Sequence, residues 1–178
     1  ILDGDIDAFR FIIREYKDKA YSLAISVVKD EFEAKEVVHT AFIKAYTKLD
    51  TFKANSSFST WFYRILINEA FYKKRRLKNN PKFLDGITSD KIPSKSNNTL
   101  LKIDVDNQRY YINEALSKIS AKYSLALRLF YLEELKIEEI TEITGWTIMN
   151  TKVILYRARN KMKEILTEIY KLDKEDLY

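Results

Sequence analysis

Residues 137–163 read IEEITEITGWTIMNTKVILYRARNKMK. This stretch holds two amphipathic helical patterns separated by a single glycine. In the first, Ile137, Ile140 and Ile143 recur at helical spacing with Glu138, Glu139 and Glu142 between them. Gly145 then interrupts the pattern, and glycine most readily takes the positive φ of a tight helix C-terminus. Thr147 is placed to cap a second helix. There Thr151, Leu155, Ala158 and Met162 share one face at 4-3-4 spacing. Lys152, Arg157, Arg159, Lys161 and Lys163 carry the charge, with no acid among them. A short acidic helix, a glycine turn and a basic helix form a helix-turn-helix suited to a DNA major groove.

Working outward, the chain of 178 residues allows one large domain or two small ones. Its 46% hydrophobic and 32% charged content fits a folded soluble protein. Only 3 glycines and 2 prolines favour long helices over a turn-rich β fold. No apolar run approaches the roughly 20 residues that span a bilayer, and no signal peptide is visible, so a cytoplasmic protein without membrane insertion is expected. With 0 Cys and 1 His, no disulfide frame and no metal site are expected. The net charge of +5 is unevenly placed. Arg64, Lys73, Lys74, Arg75, Arg76 and Lys78 face a single acid, Glu69, within residues 64–78, and the second basic cluster follows Gly145. A single such run is usually a solvated helix face. Two, each ending an amphipathic helix, suit a polyanion touched at two places.

The fold class expected is all-α, with two helical domains joined by a flexible linker. Residues 1–78 form the first block, 79–105 the linker, 106–170 the second block and 171–178 a charged tail. The linker holds Pro81, Pro93, Gly86 and the polar run Ser94–Thr99, too little apolar surface to offset ordering entropy. Periodicity divides the first block into four helices. One is capped by Asp7 and carries Phe9, Ile12 and Tyr16; the next carries Tyr21, Leu23 and Val27. Asp30 caps a third with Ala34, Val37, Ala41 and Phe42, and Ser59 or Thr60 caps a fourth that starts near Trp61. In the second block, helices around Tyr111–Ile119 and Tyr123–Tyr131 precede the helix-turn-helix.

The order of these parts resembles an extracytoplasmic-function sigma factor, the smallest class of the sigma-70 family, over nearly the whole chain. Residues 30–46 (DEFEAKEVVHTAFIKAY) look like the family helix that docks on the RNA polymerase clamp coiled coil. Residues 58–68 (FSTWFYRILIN) are similar to its promoter −10 helix. Residues 115–119 (ALSKI) and 156–162 (YRARNKM) are similar to the opening and closing motifs of its −35-binding module. Departures are Lys35 at a usually acidic position, Ser120 for a common proline, Ile148 for an acidic or small residue, and Val153 and Ile154 where a small polar residue and Arg are frequent.

The resemblance implies three faces. A melted −10 element would be held by Lys53, Asn55, Ser56 and Ser57 in a loop that reads a flipped base, together with Arg64, Asn68, Tyr72, Lys73, Arg75 and Arg76. Trp61 fits a core aromatic better than a base platform. A −35 duplex would be met by Met149, Asn150, Lys152, Val153, Tyr156, Arg157 and Arg159, an unusually apolar groove-facing set. Glu33, Glu36, His39, Thr40 and Ile43 would bind polymerase. The implied partners are the RNA polymerase core, through clamp and flap, promoter DNA and an anti-sigma factor. In the free chain the blocks would pack together or be held by that anti-sigma protein, with their basic surfaces masked. No cofactor and no catalysis are expected, since the adjacent acids Glu133–Glu134 and Glu138–Glu139 point apart on a helix and no phosphate loop or nucleophile motif is found. Two other readings compete. One is a stand-alone helix-turn-helix regulator, for which no dimerisation helix is evident. The other is a sigma-like interaction protein that has lost promoter reading, suggested by Val153 and Ile154.

Overall fold

A computed structural model describes residues 6–79 and 105–170. Most of the linker and the whole tail inferred above lie outside the described residues. Among the described residues there is no strand.

Helix α1, Ile6–Val28, is one continuous element where periodicity suggests two. Lys17, Asp18 and Lys19, which look like a break, stay on the exposed side, and no Gly or Pro interrupts the helix. Asp7 therefore lies inside the helix and does not cap it. Lys29 ends α1 at φ 63°, its N–H bonded to the Ile25 carbonyl at 3.0 Å. Asp30 then caps α2, Glu31–Thr47, accepting from the Glu33 N–H at 2.8 Å. A 3-10 turn, Leu49–Thr51, leads towards α3, Phe58–Asn79. The cap of α3 is Ser57, whose Oγ accepts from the Thr60 N–H at 3.1 Å. Ser59 and Thr60, the expected caps, sit in the first turn, and Thr60 is fully buried. The first block thus reaches four helical elements by a different partition, three α-helices and a 3-10 turn.

The second block comprises α4, Val105–Lys118, α5, Ala121–Leu127, a wide π turn over Arg128–Leu132, α6, Ile137–Thr144, and α7, Ile148–Tyr170. Gly145 closes α6 at φ 72°, its N–H bonded to the Thr141 carbonyl at 2.9 Å. Thr147 caps α7, accepting from the Asn150 N–H at 3.2 Å. A Cβ on Gly145 would meet nothing within 4 Å, so a substitution there carries only the backbone cost of the left-handed conformation. Gly145→Ala should destabilise the chain by about 1 kcal/mol, lowering Tm by roughly 2–4 °C in a thermal melt. An unchanged Tm would show that α6 does not need this terminator.

Two cores result. The second unites Leu116, Ile119, Leu127, Ile154, Leu155, Ala158 and Ile165 from α4, α5 and α7. The first is built on α1–α3, with Phe42 stacked on Phe62 at 4.7 Å between centroids. It does not stop at the block boundary: Leu125, Leu129, Leu135, Ile140 and Ile143 of the second block are buried in it. Polar bonds border this junction. Tyr63 donates to the Glu133 carboxylate at 2.6 Å, and Arg128, only 7% exposed, donates to Ser22 Oγ at 2.5 Å and Asn113 Oδ1 at 3.0 Å. The Lys29 ammonium donates to the Leu116 and Ser117 carbonyls at 3.0 and 3.1 Å, at the end of α4 where carbonyls lack helical partners and the helix dipole favours a cation. Desolvation, then the charges of Arg128 and Lys74, push its pKa down to about 8.

Candidate nucleic-acid and polymerase interface

Helix α3 turns Phe62, Tyr63, Leu66, Ile67 and Ala70 into the core. That rotation leaves Arg64, Asn68, Tyr72 and Arg75 along one exposed stripe at i, i+4, i+8 and i+11, with Arg76 exposed beside it. The Arg76 guanidinium lies 6.0 Å from the Tyr72 ring centroid, a cation over an aromatic face. Tyr72, Arg75, Arg76 and Asn79 line an open depression at the end of the helix. These residue types suit a splayed, stacked single strand.

Lys73 does not join that stripe. It is half-buried and pairs with Glu33 (2.5 Å) and Glu36 on α2. Burial alone would lower its pKa, but the hydrogen bonds and charges of the two carboxylates outweigh burial and raise it. The Lys73 hydrogen bond and charge hold Glu36 below the ordinary carboxylate range. A depressed carboxylate contributes stability above its ordinary pKa and loses it as pH falls, so acid loosens this clasp. Lys44 and Glu69 form a second α2–α3 pair.

In the preceding loop Lys53 and Asn55 are exposed and Ser56 is half-buried, with Ala54 at φ 54°. Ser57 is exposed but committed to the helix cap. Trp61 is half-buried, its ring 5.4 Å from Phe52 and 5.6 Å from Phe58, in keeping with a core aromatic.

On α2, Glu36, His39 and Ile43 are exposed, Thr40 is half-buried and Glu33 is buried against Lys73. The structure adds two apolar residues that the sequence reading passes over. Phe32 (69% exposed) and Tyr46 (47% exposed) lie on the same face as Glu36, His39 and Ile43. Their 4-3-4-3 spacing is that of a coiled-coil seam. The signal was present in the sequence, hidden beside the stronger stripe Ala34–Val37–Ala41–Ala45 that fills the core.

In the second block Met149, Asn150, Lys152, Val153, Tyr156, Arg157 and Arg159 are all exposed on α7. Arg159 donates to the Tyr131 hydroxyl at 3.2 Å. Ile154 is 3% exposed and belongs to the second core, so it takes no part in the outward surface. Of the two residues that suggest lost promoter reading, only Val153 therefore lies on the outward surface. Packing of the two blocks alone does not supply the expected masking. Packing of the two blocks buries apolar side chains, whereas Arg64, Arg75, Arg76, Lys152, Arg157 and Arg159 remain exposed.

Comparison with known proteins follows the same division. The Sigma-70 region 2 model matches residues 12–80 and the Sigma-70, region 4 model matches residues 109–162. The chain is 30% identical to the ECF RNA polymerase sigma factor SigW of Bacillus subtilis, over 93% of this chain and 92% of that protein. It is 31% identical to RNA polymerase sigma factor SigV of the same organism, over 93% and 91%. The ECF RNA polymerase sigma-E factor of Escherichia coli K12 is 29% identical over 92% and 91%. Among solved structures, sigma factor RpoE of Bartonella quintana, co-crystallised with the anti-sigma factor NepR, has the same fold at a TM-score of 0.71 and 23% identity, covering 91% of this chain and 98% of that one. CnrH, in complex with the cytosolic domain of CnrY, gives 0.64 at 18% identity, covering 94% and 92%.

Proposed function

The chain belongs to the extracytoplasmic-function sigma factors of the sigma-70 family, and from that premise we propose how its residues divide the work. It is a promoter-recognition factor that directs RNA polymerase to begin transcription. Residues 1–78 act as the region 2 module, 106–170 as the region 4 module, and 79–105 as the tether between them. The exposed stripe Arg64, Asn68, Tyr72, Arg75 and Arg76 holds the melted −10 strand, with Lys53, Asn55 and Ser56 admitting a flipped base. Lys73 holds α2 to α3 and thereby aligns the −10 stripe with the docking face. That face on α2, Phe32, Glu36, His39, Ile43 and Tyr46, seats the clamp coiled coil, with Glu33 and Thr40 supporting it from the buried side. The outward side of α7, Met149 to Arg159, enters the −35 major groove while the second block rests on the polymerase flap.

The chain performs no catalysis of its own and works in the cytoplasm, where the polymerase is. An anti-sigma protein holds it inactive, a reading supported by the co-crystal of RpoE, a protein of the same fold, with the anti-sigma factor NepR. The observation that carries this reading is the presence of two separate exposed cationic faces, on α3 and on α7, in one chain that also offers an apolar docking face on α2.

Multi-round transcription with purified core polymerase and a library of genomic fragments tests it. Discrete transcripts should appear only when the chain is added. Duplex alone should be bound weakly in a mobility shift until core enzyme is present. Tight, core-independent binding to a duplex, with no transcript, would replace this reading with the stand-alone regulator.

A further inference from the structure

The outward face of α7 is unusual in composition. Met149 (73% exposed), Val153 (38%) and Tyr156 (61%) stand at i, i+4 and i+7 and form one apolar line down its centre. Cations flank that line on both sides, Lys152 and Arg159 on one and Arg157 on the other. Asn150 lies at the edge near the N-terminus of the helix, which is the end that reaches base edges in this motif. The helix cannot rotate to hide the line, because Thr151 (0%), Ile154 (3%), Leu155 (3%) and Ala158 (0%) fix its other side in the core. Cations line both margins, the sides on which the two phosphate backbones of a groove would lie, so nucleic acid is the occupant that charge complementarity favours.

We infer that this face reads thymine 5-methyl groups, so that the −35 element selected by this chain is specified by A·T pairs. The inference rests on the assignment of α7 to the −35 duplex made above. In a major groove an apolar side chain can distinguish a base pair by only one feature, the methyl group on thymine. Methionine and valine have no strong donor or acceptor that would select guanine or cytosine at the centre of the helix, and Tyr156 adds the apolar face of its ring beside a single hydroxyl. Asn150 can pair with both N6 and N7 of adenine, the partner base of the same pair. Lys152, Arg157 and Arg159 lie at the margins of the line, where contact with phosphates supplies affinity without sequence information.

Replacing thymine by deoxyuridine removes the methyl and leaves every hydrogen-bonding group in place, which makes the DNA the site of the test. Holoenzyme carrying the full chain is bound at fixed salt to a promoter it transcribes, with thymines of the −35 half exchanged one at a time. Each contacted methyl should weaken binding about fourfold, the effect of one buried methyl-sized group. Exchanges outside both promoter elements should have no effect. The triple variant Met149→Ala/Val153→Ala/Tyr156→Ala, altered only at exposed positions, should bind the thymine and deoxyuridine duplexes nearly alike. Equal affinity of the unaltered chain for both duplexes, with transcription intact, would overturn the inference while leaving the sigma assignment standing. Failure to transcribe any promoter would sink that assignment and this inference with it.

Discussion

Charge reversal at Arg75 and Arg76 to glutamate should cripple promoter opening while leaving assembly with core polymerase nearly intact. Both side chains are exposed on α3, on the side turned away from the first core. Each phosphate contact carries a share of affinity that grows as salt falls, and reversal adds repulsion to the lost contact. For two reversed charges the combined loss should be on the order of a hundredfold in open-complex formation at moderate salt. The docking face proposed on α2 is carried by different residues, so core affinity should change by less than about threefold, within the range of ordinary surface substitutions. Acids near the end of α3 oppose the helix dipole, which is why Arg75→Gln/Arg76→Gln is the control. It should retain an intermediate activity at unchanged helix content. Permanganate footprinting of the −10 region and fluorescence titration with core enzyme read the two quantities separately. Equal losses in both would mean that these arginines do not contact the strand.

The second large effect is expected at the junction of the blocks. Ile140 is fully buried, on α6 but within the core built on α1–α3. Ile140→Asp removes that apolar contact and places a carboxylate where no cation is bonded to it, a penalty of about 3–5 kcal/mol. The second core, centred on Leu116, Ile154, Leu155 and Ala158, does not include Ile140. The blocks should therefore part while each keeps most of its helix, giving a larger radius of gyration in small-angle scattering and nearly unchanged circular dichroism. Tyr63→Phe is the mild counterpart. It deletes the hydroxyl bonded to Glu133 and should loosen the junction by about 1–2 kcal/mol without a charge defect. A compact Ile140→Asp variant, or one that loses all helicity, would show that the two cores do not stand apart energetically.

Much of this arrangement is legible in the sequence where local chemistry decides it. Asp30 and Thr147 cap helices because short polar side chains bond the free N–H groups of a first turn. Gly145 terminates α6 because its φ is positive. The outward and inward sides of α7 follow from spacing alone, down to the exposure of Met149, Val153 and Tyr156.

What escapes local reading depends on partners distant in sequence. Nothing near Lys73 announces that it pairs with Glu33 and Glu36 on another helix. Leu129, Leu135 and Ile143 look like the inner stripes of their own block, and no periodicity tells which core an apolar side chain enters. The charged run Lys17–Asp18–Lys19 separates the apolar pattern that ends at Tyr16 from the one that starts at Tyr21, yet charge alone does not end a helix in the way that Pro or Gly does. Ser57, two residues before Ser59 and three before Thr60, is the cap, a shift of less than one turn at a helix boundary, where local signals overlap.

Second-block residues buried in the first core hold the two blocks together in the free chain; if one block is seated on the −10 element and the other on the −35 duplex, as proposed, the polymerase must draw them apart. With 0 native Cys, a pair of dyes can be placed at will, at Glu15→Cys on α1 and Glu138→Cys on α6, both exposed and close to the junction. Energy transfer between them should be high in the free chain and collapse when core polymerase is added, in step with the gain of transcription. Undiminished transfer in a holoenzyme that transcribes would contradict the account.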